Sequence, residues 1–206
     1  SGFQNSVIGF ANVVVQSNIN AFGELAMSGC GAYAKVEGFA FLPITSFTSA
    51  ITTFVGQNLG AEEFDRAKKG ARFGILCSLL IAEGIGVITY VFSPAFIGAF
   101  CDSQAAIAFG VDKAHICALF FCLLAATHCL SAVLRGAGRA MVPMVVMLSV
   151  WCVLRVSILW IAVPITQSIN TVNWVYPITW SISTVVLLIY YHKSDWLHSF
   201  QREKAK

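Results

Sequence analysis

Glu37, Glu83, His128 and Arg155 are ionisable side chains set inside long apolar runs. A charge held away from water is costly, so each is a candidate for coupling to an ion or proton, or for gripping a charged group. Counting about 1.5 Å per residue from the basic edge at Arg72 puts Glu83 about 16 Å deep, near the middle of a hydrocarbon layer about 30 Å thick. It reads either as a coupling carboxylate or as a protonated acid bonded between helices. Arg155 falls about 21 Å along its own run, and either snorkels outward or pairs with a buried acid, for which Glu37 is at a suitable depth. His128 reads as a proton relay or as a hydrogen-bonded packing group.

Uncharged polar side chains form a second set. Asn5, Gly9, Asn12, Gln16 and Asn20 recur at helical spacing along one stripe, with Phe3, Val7, Phe10 and Val14 on another. Amides turned toward lipid would lack partners, so the stripe is expected to face protein or a watery cavity and to bind substrate there. Thr45, Thr48, Ser49 and Thr52 repeat the pattern in the next run, although hydroxyls can also bond their own helix backbone. His115, Cys117, Cys122, His128 and Cys129 match catalytic or metal-binding groups by type. Pairs of these two turns apart do not share an ion without a second helix, so no catalytic set and no metal site is read. Cys30 and Cys101 could both lie on the outer side and pair there.

These groups need helices in a membrane to hold them. The 206 residues are 57% hydrophobic and 11% charged, with a mean hydropathy of +0.75, far more apolar than a typical soluble domain. The net charge of +3 does not indicate nucleic-acid binding. Six spans are expected at roughly 2–20, 33–56, 72–92, 114–134, 141–163 and 173–192, making a six-helix lobe over 1–192 and a basic tail over 193–206. Ten of the thirteen Lys and Arg residues fall at the 57–71 loop and its Arg72 edge, in the 135–140 loop or in the tail. The opposite connections, 21–32, 93–113 and 164–172, hold only Lys113. Retention of positive charge on the inner side makes the basic loops and the C-terminus cytoplasmic, in a multi-pass protein of the plasma (inner) membrane. The chain opens within an apolar run and without a Met, as expected of a fragment lacking its upstream part.

The stretch 19–61, ending in VGQNLGA (55–61), the Arg66–Ala67 pair after it, and VLRGAGRAMVPM (133–144) resemble the second half of multidrug and toxic compound extrusion (MATE) transporters. The resemblance implies an all-α integral membrane fold in which this six-helix bundle is one lobe of a twelve-helix, two-lobed carrier, partnered by a missing N-terminal lobe and by lipid. It implies no enzyme and no cofactor beyond the coupling ion. The implied activity is export of drugs or organic, often cationic, small molecules in exchange for Na⁺ or H⁺, by alternating access; a lipid or lipid-linked saccharide flippase is the alternative. Gly56, Gln57, Asn58, Gly60, Arg66, Arg135, Gly136 and Gly138 make up the matching loop motifs, whose glycines are expected to shape tight cytoplasmic turns. Some family members carry acids in the first and fourth helices of this lobe. Neither of the corresponding membrane runs, 2–20 and 114–134, has one here, so the main coupling carboxylate is expected in the absent lobe.

Overall fold

The computed structural model describes residues 2–198, with side chains from Ile8 onward. Asn5 therefore has a place in a helix but no described side chain. Six helical rods follow one another: α1 Gly2–Asn20, α2 Glu24–Gly60, α3 Phe64–Gly98, α4 Gln104–Gly136, α5 Met141–Thr166 and α6 Ile169–Lys193. Rods α2 to α6 are each long and apolar enough to cross a membrane. The amide stripe makes α1 more polar, and it packs against α2, α5 and α6.

α2 is 37 residues long, about 55 Å, and forms the axis of the bundle, packed against α3 and α4 along its length. Glycines let α2 and α4 approach at both ends. At one end a Cβ on Gly110 would lie 2.6 Å from the Gly29 carbonyl oxygen; at the other, a Cβ on Gly136 would lie 2.6 Å from that of Thr52. Between them, Tyr33, Ile44, Phe121 and Trp180 fill one core, while Val55, Leu59, Val133, Leu134 and Leu187 fill a second at the basic end. A third, smaller core of Val15, Ile19, Leu159 and Val172 joins α1, α5 and α6. Phe73, Leu76 and Leu80 of α3 and Trp160 and Ile165 of α5 are exposed, as suits rods whose outer surface meets lipid.

The turns at the basic end correct the expected roles of the glycines. Gly138 alone of the four motif glycines has a positive φ, 76°. There Arg139 N–H donates to Leu134 O and Gly138 N–H to Arg135 O, a Schellman closure of α4. α2 closes in the same way, with Glu63 N–H donating to Asn58 O and Glu62 N–H to Leu59 O, but Glu62 rather than Gly60 takes the left-handed conformation, at φ 62°. Gly56 and Gly136 lie within helices and serve the α2–α4 contact: a Cβ on Gly56 would come 3.3 Å from the Gly136 carbonyl oxygen. The two family-like motifs thus pack against each other. Asn58 donates to Phe54 O (2.7 Å), and the Arg66 guanidinium lies 6.0 Å from the Phe54 ring. Arg139 donates to the Tyr190 hydroxyl (2.9 Å), tying this turn to α6. All seven cysteines are free, Cys30 and Cys101 among them.

Two rods depart from regular helix. α4 starts earlier than the hydropathy suggested, at an N-cap where Ser103 accepts from Ala106 N–H. It tightens to a 3₁₀ turn at Ala118–Phe120, where a Cβ on Gly86 of α3 would collide with the Ala118 carbonyl oxygen. α5 widens to a π-helix over Leu148–Leu154, immediately before Arg155.

Candidate functional site

A cavity of about 260 Å³ opens among α1, α2, α5 and α6, with Leu124 of α4 in its wall. Ile8 and Asn12 reach it from α1, Glu37, Gly38 and Phe41 from α2, Trp151 and Arg155 from α5, and Tyr176 and Trp180 from α6. The π-helix precedes one of its most polar components. π turns recur at functional sites because they disturb the regular backbone ladder, and here Trp151 and Arg155 point into the same space.

Arg155 is 2% exposed. Its Nη2 donates to Thr179 Oγ1 at 2.9 Å, and Thr179 in turn donates to the backbone at Val175 O. The guanidinium carbon lies 4.8 Å from the Tyr176 ring centre and 5.3 Å from that of Trp151. Its Nε is buried and has no hydrogen-bond partner. Lys113, 4% exposed, places Nζ 4.7 Å from the same Tyr176 ring and 5.4 Å from Tyr33. Two cations therefore meet one aromatic ring, an arrangement strengthened where water is excluded. Glu37, partly buried at the cavity wall, feels the field of both. Among the described residues neither cation forms an ion pair with a carboxylate.

The sequence candidates separate on this geometry. Asn12, Glu37 and Arg155 come together in the cavity wall. His128 stands behind that wall, edge-on to Phe41 and Trp151 at 5.0 and 5.5 Å, with its buried Nε2 unpartnered. Gln16 lies on the exposed face of α1, where it donates to Asn20 (2.8 Å). Thr45, Thr48 and Thr52 donate to the carbonyls of Leu42, Ile44 and Thr48 in their own helix, and Ser49 is exposed beside them. None of these four lines the cavity. Glu83 also lies elsewhere: its carboxylate accepts from Cys122 N–H at 3.1 Å, a donor just past the 3₁₀ turn. Among the described residues no three His, Cys, Asp or Glu side chains gather as a metal site.

Lys113, Trp151, Tyr176 and Trp180 were not expected here. Lys113 was assigned to an outer connection; it sits within α4, next to a buried stripe of Ala106, Gly110, Ala114 and Cys117. That small-residue spacing and the Asp102–Ser103 helix start were the available signals.

The MatE family model matches residues 1–161. The probable multidrug resistance protein YoeA of Bacillus subtilis is 26% identical over 187 residues, which is 90% of this chain and 40% of that protein. A probable multidrug resistance protein, NorM, of Thermotoga maritima is 28% identical over 150 residues, or 72% of this chain and 31% of that one. The chain thus spans less than half the length of these curated relatives. A solved MATE structure in its bent conformation superposes with a TM-score of 0.86 at 15% identity, over 98% of this chain and 45% of that one. This likeness shows the fold, that of a single lobe.

Proposed function

Because the chain belongs to the MatE family, and so to multi-pass membrane transporters, we propose that it is the second lobe of a secondary antiporter that exports drugs or other organic compounds in exchange for Na⁺ or H⁺. One observation carries the reading: a cavity holding Asn12, Glu37 and Arg155 within rods built to stand in lipid. Ionisable groups within membrane-spanning rods that open onto a cavity are functional-site candidates by default. The exposed Asn12 and Gln16 of α1 give this lobe a polar face for its partner lobe to cover. Rocking of the two lobes about that face would open the cavity to each side in turn.

Glu37, the acid in the cavity wall, is this lobe's contribution to coupling. The Lys and Arg residues of the 57–71 stretch and its Arg72 edge, of 135–140 and of the tail orient these segments toward the cytoplasm, in an inner membrane. Full-length protein in vesicles is expected to concentrate a fluorescent amphiphile when a Na⁺ or H⁺ gradient is imposed, and to stop when an ionophore dissipates it. Glu37→Gln should lower gradient-driven uptake by about tenfold while leaving downhill exchange in place. Uptake indifferent to both gradients refutes the antiporter.

A further inference from the structure

The substrate class of this cavity can be narrowed, on the premise that the cavity is the transport site. The geometry points to a ligand with an acidic group on an aromatic body, the acid seated against Arg155 and the rings against Trp151 and Trp180. A guanidinium has five N–H donors in a planar fork and no acceptor. Here Nη2 is bonded to Thr179, two aromatic rings lie beside the cation, Nε is enclosed without a partner, and the side chain lines an open cavity with no carboxylate in ion-pair contact. A guanidinium at a cavity wall with most of its donors unused is what a carboxylate or sulfonate oxygen meets in a charge-assisted bond.

Charge balance agrees. Two buried cations, Arg155 and Lys113, share the Tyr176 ring, and Glu37 is the acid that acts on both, without ion-pair contact. Within this lobe the site therefore carries one positive charge more than Glu37 neutralises. In a low-dielectric surround that excess repels an incoming ammonium and attracts an anion. The rest of the lining is aromatic or aliphatic, with Asn12 as the neutral hydrogen-bonding group. An amphipathic anion, or a zwitterion entering acid first, fits; a purely cationic amphiphile does not.

Naphthoate and naphthylmethylammonium have the same rings and opposite charge. They should be compared as competitors for tritiated naphthoate bound to the purified full-length protein, and as substrates in vesicles. Naphthoate is expected to compete at least about tenfold better than the ammonium, the difference one charged hydrogen bond makes. Arg155→Gln should abolish the preference and Arg155→Lys retain part of it, each at unchanged elution volume. Equal competition, preference for the ammonium, or a preference that survives Arg155→Gln overturns the assignment. The wild-type comparison alone decides the matter if the variants do not fold. Naphthoate binding without uptake would keep the anion site and remove the transport premise; gradient-driven uptake of the ammonium alone would do the reverse.

Discussion

Glu83 and Arg155 present the same problem to the fold and receive different answers. Each is a full charge, or a group able to become one, placed well inside an apolar rod. For Glu83 the neighbouring helix supplies what is needed: the 3₁₀ turn at Ala118–Phe120 disturbs the ladder of α4, and the carboxylate accepts from Cys122 N–H. For Arg155 the neighbours supply one acceptor, Thr179, and leave Nε enclosed with none, in a side chain that lines an open cavity. Depth alone therefore says little about role. The useful question is whether the rest of the chain satisfies the group, because a buried polar group left unpartnered is expensive.

Gly86→Val should have the largest effect on this contrast. Any side chain there meets the Ala118 carbonyl oxygen, so α3 and α4 must separate just where Glu83 reaches across. A loss of about 3 kcal/mol of stability is expected, read as a fall in melting temperature in detergent. A variant that melts like the wild type would show that the crossing is loose and that Glu83 is not positioned by it.

Glu83→Ala comes next. Deleting the acceptor strands the Cys122 N–H and should cost about 1–2 kcal/mol, whereas Glu83→Gln keeps a carbonyl oxygen and should recover most of that. Flux per folded molecule should stay near wild type in both. If Glu83→Gln keeps its melting temperature but loses flux, Glu83 is a coupling group and the contrast with Arg155 collapses.

The sequence exposes these groups unevenly. The rods and the basic turns follow from apolar runs and loop charge, which are local properties. Asn12 was legible because an amide on a greasy helix needs a partner, wherever that partner lies. Lys113 was hidden by its own charge and by Asp102 and Asp112, which lower local hydropathy and mimic a loop although Ser103 caps a helix there. Thr45, Thr48 and Thr52 looked like a lining because a hydroxyl bonded to its own backbone has the same sequence signature as one facing water. The π-helix over Leu148–Leu154 has no such signature: LSVWCVL contains neither Gly nor Pro. Glu83 and Arg155 could not be told apart for the same reason, since their partners lie 39 and 24 residues away in sequence.

Thr179→Val probes the better-served side of Arg155 and should have the smallest effect. The hydroxyl accepts from Nη2 and donates to Val175 O, so it holds the guanidinium without touching the cavity directly. Valine keeps the shape and removes the acceptor, leaving Nη2 without its partner as well as the buried Nε. Stability should fall by about 1 kcal/mol, in keeping with hydrogen bonds between membrane helices. Naphthoate affinity should fall about threefold as the fork loses its fixed orientation, while Thr179→Ser should behave as wild type. A Thr179→Val protein whose naphthoate affinity is unchanged would mean that the aromatic rings of Tyr176 and Trp151 hold Arg155 by themselves, and that the bond to Thr179 does not set the guanidinium for a ligand.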